Sequence, residues 1–429
     1  MHTTFTKPYA RFQTTFVILF ISLIFGLPTT AQPTSVTLGQ TTYVDSVYSE
    51  VLGEYRIFYV QFPSYYSPGN KYAVAYILDG GSLLSTVGEF QKYYDGGFTP
   101  EMILIGVSNR ENRDRDLTPT KVQERHGMAV ENGGAEAFHQ FLSEELIPHV
   151  EKEYPVTDYR TLIGHSFGGL FAVYSSLHHP NVFSNYLAID PSLEWDSEVI
   201  LNQLMAENAP LNYSNKSMYI TMSGQLHWQN ADITIDNVRQ DTTEFTAFSR
   251  AILTAVDFFN VQETQQPEGF KDFHFDWKYY PADLHGTVPF PSIHDGLVSM
   301  FSWYQMENTD KINSFETSQE ELYKIIKHRE AKLKKHFGYF VAPYPEELLN
   351  VSGYMRMESG QYSVANMYFR LAIEYYPQSA NAHDSMADFY ESQEEWEEAL
   401  GEVKKAQALS PSEYYQNRIE KLSQRMEKE

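Results

Sequence analysis

The chain has 429 residues, no cysteine and a formal net charge of −24, from 32 basic against 56 acidic side chains. That length favours more than one domain, and 42% hydrophobic with 15% aromatic residues supplies a substantial core. The acidic balance lacks the electrostatic footprint of a nucleic-acid or anionic-membrane binder, and the missing thiols exclude disulfides, thiol catalysis and cysteine-based zinc sites.

At the N-terminus, Lys7 and Arg11 precede an uninterrupted apolar run, FVILFISLIFGL, over residues 16–27. PTTAQ comes next, with small residues that suit cleavage after Ala31. This n-region, h-region and cleavage order predicts a signal peptide over residues 1–31, so the mature chain starts near Gln32 and is periplasmic or secreted. The run is short for a membrane span, and without a cysteine a lipoprotein anchor is excluded.

From residue 32 to 305 strand-like and helix-like segments alternate. EYRIFYVQFP (54–63) alternates like a strand and ends at the turn cluster SYYSPGNK. YAVAYILDGG (72–81) and EMILIGVSN (101–109) are near-continuous apolar runs, as expected of strands buried on both faces of a parallel sheet. Residues 133–154 place Phe138, Phe141, Leu142, Leu146 and Val150 at helical spacing. The strand TLIG, the helix GGLFAVYSSLHH and the strands NYLAID and SMYITMSG come after it, then FHFDWKYY (273–280), with Phe273, Phe275, Trp277 and Tyr279 on one face. The alternation predicts an α/β domain with a mainly parallel sheet.

The character then changes. Residues 320–337 read as a charged amphipathic helix, within a segment over 306–338 that links the α/β domain to the C-terminal region. Over 339–429 two stretches match in register, with Pro377 and Pro411 standing 34 residues apart and small residues at Ala365 and Ala399. The period resembles tetratricopeptide repeats, with the charged helix and the final helix as caps. Such helical surfaces suit a protein partner, although packing against the first domain is the plainer reading for so few units.

GHSFGG fits G-x-S-x-G, the nucleophile elbow, and its flanks supply the required strand before and helix after. A sharp turn there lifts the Ser166 hydroxyl above the sheet edge. The amide of Phe167, next in the chain, then points at a developing oxyanion. The competing reading is a small-residue turn. A serine needs a base oriented by a carboxylate, in the chain order Ser, acid, His. His178 and His179 end the helix of the elbow, and His274 lies on the polar face of a strand. His285 comes after the last strand in a loop, where such a base sits.

On these residues the chain resembles the "Putative esterase" family of α/β-hydrolases, which includes enterochelin esterases, feruloyl esterases, S-formylglutathione hydrolases and mycolyltransferases. YAVAYILDGG, NRENRDRDLTPT, GGAEAFHQFLSEELIPHVEKEY, RTLIGHSFGGL, AIDPSLEWD and DLHGTVPFPSIHDGL carry the resemblance, in family order, over most of residues 51–300. It implies an α/β-hydrolase fold, Ser166 as nucleophile, His285 as general base, and an oxyanion hole from the amides of Phe167 and Gly81. The acid usually comes after the strand read as SMYITMSG, but Gln225 and Leu226 are next. Asp232, Asp236, Asp241, Glu244 and Asp283 are candidates, with Asp241 preferred and a Ser–His dyad left open. In NRENRDRDLTPT, Arg110, Arg113 and Arg115 could meet a substrate anion; a salt-bridge knot with Asp114 and Asp116 is the favoured alternative. Trp195 either lines the pocket or packs in the core.

No H-E-x-x-H, Walker A or dinucleotide fingerprint occurs, so no cofactor, metal or nucleotide is implied. The expectation is an exported serine esterase acting on a small-molecule ester or thioester. An acyltransferase to a sugar or alcohol, and a scaffold whose repeats bind a partner, are the alternatives.

Overall fold

Among the described residues eight strands form one sheet: β1 (Tyr43–Ser49), β2 (Glu54–Gln61), β3 (Tyr72–Ile77), β4 (Met102–Val107), β5 (Val156–His165), β6 (Asn185–Ile189), β7 (Ser217–Ser223) and β8 (His274–Tyr280). The computed structural model describes residues 40–427 apart from 65, 68, 95–96, 124–129, 208, 210 and 228. The expected signal peptide, with Lys7, Arg11, the 16–27 run and Ala31, lies outside the described residues, as do Tyr65 and Pro68 of the expected turn. The strand order is β1-β2-β4-β3-β5-β6-β7-β8. β1 pairs with β2, and β2 with β4, antiparallel; every pairing from β4 across to β8 is parallel.

The continuous apolar runs are the doubly covered strands. β3, β4, β6 and β7 are buried along their whole length. Side chains alternate between faces, so Val74, Tyr76 and Leu78 enter one core while Ala73, Ala75 and Ile77 enter the other. In chain order the helices of this region are α1 (Gly80–Tyr94), the single turn α2 (Arg113–Leu117), α3 (Ala135–Gln140), α4 (Ile147–Glu153), α5 (Phe167–His178), α6 (Trp195–Leu204), α7 (Ala247–Gln265) and α8 (Pro289–Met300). The first core takes residues of α3 to α7; the second takes residues of α1 and α8. The helix expected over 133–154 is interrupted by a π-helical stretch, Phe141–Leu146. Pro148 opens the turn after it, and its missing N–H frees the carbonyl four residues earlier for a wider turn.

Beyond the sheet the chain is helical: α9 (Thr309–Asn313), α10 (Gln319–Phe337), α11 (Glu346–Glu358), α12 (Tyr362–Tyr375), α13 (Ala380–Ser392), α14 (Trp396–Leu409) and α15 (Glu413–Met426). The matching small residues Ala365 and Ala399 are both fully buried. Helix α10 begins at Ser318, whose hydroxyl accepts from the Glu321 amide, and ends at Gly338 with φ 78°. The helix expected as a cap packs in two places. Leu322 and Ile326 join the core of the helical region, while Leu333 and Phe337 join the sheet's second core. Between them the buried Arg329 donates to the carbonyls of Pro343 (2.7 Å) and Tyr304 (2.8 Å). One helix thus belongs to two cores.

Candidate active site

The rim at the carboxyl ends of the parallel strands is where such sheets place their chemistry. β5 delivers Ser166 there, with φ 61° and ψ −114°, a conformation that costs a non-glycine residue about 1–3 kcal/mol. Its neighbours make the turn possible. A Cβ on Gly164 would lie 2.2 Å from the carbonyl oxygen of Gly168, so only glycine lets the strand and helix close. The Ser166 amide donates to Ile189 O at 2.9 Å, tying the elbow to the end of β6. The Ser166 hydroxyl lies 3.3 Å from that of Ser192.

His285 sits in the loop after β8, and that loop is anchored to the end of β7. Gly224 donates to Asp283 O at 2.8 Å, and the Gln225 side chain accepts from the His285 amide at 3.2 Å. His285 Nδ1 is 2.7 Å from Asp190 Oδ2. Asp190 is fully buried at the end of β6, one residue after the Ile189 carbonyl that holds Ser166. Its other oxygen accepts from the Ser223 amide at 2.8 Å, and its φ is 43°. A carboxylate there fixes Nδ1 as the protonated nitrogen and leaves Nε2 able to accept a proton. His165, the residue before the serine, donates from Nε2 to His285 O at 2.9 Å. Burial, reinforced by the nearby His285, pulls the His165 pKa down to about 4, so it is neutral near pH 7.

The carboxylate beside His285 is therefore Asp190, and not Asp241. Asp241 comes after a 3₁₀ turn (Val238–Gln240), where Oδ1 accepts from the Thr243 amide at 2.7 Å and Oδ2 stands 3.9 Å from His227 Nε2. Its carboxylate is engaged in that local turn, ahead of α7. Asp283 is spent locally as well, accepting from the Thr287 hydroxyl at 3.0 Å. Nothing about residue type hid Asp190: it ends the strand NYLAID, next to the elbow strand and in the right chain order. The expectation failed because it took the acid from the following strand, where Gln225 instead holds the main chain of His285.

Phe167 is the first residue of α5, and Gly81 lies in the first turn of α1, so both amides belong to helix N-termini starting at the ends of paired strands. Such ends favour negative charge. Gly80 is forced by packing, since a Cβ there would be 2.3 Å from the Gly106 carbonyl carbon. Trp195 is buried: its Nε1 donates to the Thr120 hydroxyl at 3.1 Å and its ring meets Phe167 edge-on at 5.2 Å. Phe248 meets the His285 ring edge-on at 5.3 Å. Arg110 is exposed on the loop after β4. Arg113 and Arg115 turn inward instead, Arg113 to Asp79, Arg115 to Glu54 and Asp116. A surface groove of about 530 Å³ along β8 and α8, lined by His274, Lys278 and Asp295 among others, contains none of Ser166, Asp190 and His285.

A family model described as "Putative esterase" matches residues 49–251. The ferri-bacillibactin esterase BesA of Bacillus subtilis is 33% identical over 204 residues, covering 43% of this chain and 70% of the relative. The chain belongs to this esterase family of α/β-hydrolases. The siderophore triacetylfusarinine C esterase of Aspergillus fumigatus is 29% identical over 145 residues, 31% of this chain and 48% of that protein. An IroE-like serine hydrolase from Shewanella oneidensis shares the fold, with a TM-score of 0.61 and 24% identity over 78% of this chain and 100% of that one. This esterase carries Ser166 and Asp190 within the matched residues, while His285 falls beyond them.

Proposed function

We propose that this esterase is exported and cleaves a carboxylic ester or thioester through an acyl-enzyme on Ser166. His285 Nε2 takes the hydroxyl proton as Ser166 Oγ attacks the carbonyl carbon, and Asp190 holds the imidazolium that forms. The amides of Phe167 and Gly81 stabilise the tetrahedral oxyanion, each such donor lowering the barrier by about 3 kcal/mol. Collapse breaks the bond to the alcohol or thiol, which leaves with the proton from His285. Water, deprotonated by His285, then attacks the acyl carbon; the acyl–Oγ bond breaks as His285 returns that proton to Ser166, and the acid leaves.

The observation that carries this reading is the joint one at the rim: a serine at φ 61° on an elbow, bonded to the strand whose next residue is a buried aspartate 2.7 Å from a histidine. The two relatives named for siderophore esters support a siderophore ester as the substrate class. The Lys7, Arg11 and 16–27 pattern with its cleavage site at Ala31 supports export. The helical segment after α10 offers a surface for a protein partner in this reading. The test is an ester panel, ferric siderophores included, on purified protein beside Ser166→Ala. The reading expects hydrolysis that vanishes in the variant, and hydrolysis unchanged by Ser166→Ala would overturn it.

A further inference from the structure

We infer that Tyr94 is a second nucleophile, independent of Ser166, which His294 and Asp295 equip to take an acyl group from an activated ester. Tyr94 is the last residue of α1, and His294 and Asp295 lie in the middle of α8, which packs beside it. The Tyr94 hydroxyl donates to His294 Nε2 at 2.6 Å, and His294 Nδ1 donates to Asp295 Oδ1, also at 2.6 Å. The other Asp295 oxygen accepts from Tyr280 Oη at 2.8 Å and from Lys278 Nζ at 2.6 Å. The order is that of a nucleophile, a base and the carboxylate that orients the base. It repeats the Nδ1-to-carboxylate contact of His285 and Asp190, with residues of α1, α8 and β8 alone. Asp295 is the anion this needs. Burial acts to raise its pKa, but hydrogen bonds from Lys278, His294 and Tyr280 outweigh that and hold the carboxyl below its ordinary value.

Neighbouring rings hold the phenol in line. Phe90, one turn earlier on α1, stacks on Tyr94 with centroids 4.5 Å apart and meets the His294 ring edge-on at 5.9 Å. Phe98 meets Tyr94 edge-on at 6.3 Å. The His294 side chain is nonetheless 48% exposed, so the pair is open to a small ester. An imidazole acceptor separates Tyr94 from phenols such as Tyr154 and Tyr174. Those donate to Asp45 and Glu136, and burial together with the carboxylates drives their pKa values upward. An imidazole is a stronger base than a carboxylate and takes the proton as the oxygen attacks. Tyr94 Oη thus bonds to the ester carbonyl carbon while His294 Nε2 takes the phenol proton. The bond to the leaving aryloxide then breaks, His294 passes its proton to that oxygen, and an acyl-tyrosine remains. Tyr94 ends its helix, where carbonyls and not amides face an oxyanion, so only well-activated donors such as aryl esters fit.

The probe is p-nitrophenyl acetate, given to the full chain carrying Ser166→Ala, with p-nitrophenol release followed beside peptide mapping by mass spectrometry. The expected result is an acetyl group on Tyr94, matched by release of about one equivalent of p-nitrophenol without further turnover. Tyr94→Phe in the same background should remove that acetyl group. A general base contributes about 100-fold or more, so His294→Gln should slow acetylation of Tyr94 by about that factor, and Asp295→Asn by about tenfold. Tyr93, next in the chain and 84% exposed, is the internal reference. Fragment spectra separate it from Tyr94, and its slower acetylation should be the same in every variant, which also reports that each has kept its fold. Acetylation of Tyr93 and Tyr94 at equal rates, or a Tyr94 rate unchanged by His294→Gln, overturns the inference and leaves the Ser166 reading untouched.

Discussion

Asp190→Asn is the substitution that most sharply separates this site from the one expected at Asp241. The asparagine fits the same space, but its two ends must satisfy two donors: the Ser223 amide at 2.8 Å and the His285 Nδ1–H at 2.7 Å. If its oxygen stays on Ser223, its NH₂ faces Nδ1 and forces the other imidazole tautomer, with Nε2 protonated and unable to accept from Ser166. If it flips, an NH₂ is driven against a buried amide. The lost charge matters as well: a carboxylate about 4 Å from an imidazolium charge is worth roughly 4 kcal/mol at an effective dielectric of 20, near a thousandfold in rate. His285 is 34% exposed, so solvent screens part of this. Adding the tautomer effect gives an expected loss in kcat of about 10³ to 10⁴. Steady-state kinetics on the best ester, with circular dichroism to confirm folding, make the measurement. Asp241→Asn is the control and should stay within about twofold, as surface substitutions outside the site do. A folded Asp190→Asn with kcat within tenfold of wild type would refute the assignment.

Gly164→Ala should remove at least about 3 kcal/mol of stability, because the added carbon meets backbone at 2.2 Å and no rotamer relieves it. Gly81→Ala, which meets nothing within 4 Å, should unfold at the wild-type denaturant midpoint, and equal midpoints for both variants would contradict the packing argument. Stability should also fall in mild acid. Burial, aided by neighbouring His179, holds His139 at about 3, and His165 is held at about 4, whereas unfolded imidazoles titrate near 6.5. Between those values the unfolded chain binds more protons, so stability drops as pH falls from 6.5 towards 4. The slope is on the order of 1.4 kcal/mol per pH unit for His139, with less from the partly exposed His165. Urea unfolding at pH 7 and 4.5 measures it; His139→Gln should flatten the slope, and an identical slope would contradict the assignment.

Much of the fold was legible because apolar runs and alternation report burial directly. The runs at 72–81 and 101–109 are β3 and β4, and the flanks of GHSFGG are β5 and α5. Less legible was anything set by long-range packing. β1, with Tyr43 and Val44 more than half exposed, carries too weak an apolar face to announce itself, and α1 starts inside what reads as a glycine turn after a strand. The same holds within the site. The strand-to-helix elbow at Ser166 and the loop position of His285 after the last strand were readable from local context. Asp190 pairs with a histidine 95 residues away, and the inward turn of Arg113 depends on Asp79 at the end of another strand, so neither spacing nor residue type discloses the partner. Asp79, Ser166 and Asp190 all adopt positive φ at three strand ends on one rim, a clustering of strain visible only in three dimensions.

The central claim is that Ser166 is the nucleophile, activated through His285. Intact-mass and peptide mapping of the folded protein after treatment with a fluorophosphonate ester tests it most directly. The account predicts a single phosphonyl adduct on the peptide containing Ser166, lost in Ser166→Ala and slowed strongly in His285→Ala. An unlabelled folded protein, or an adduct on another serine that survives Ser166→Ala, would contradict it.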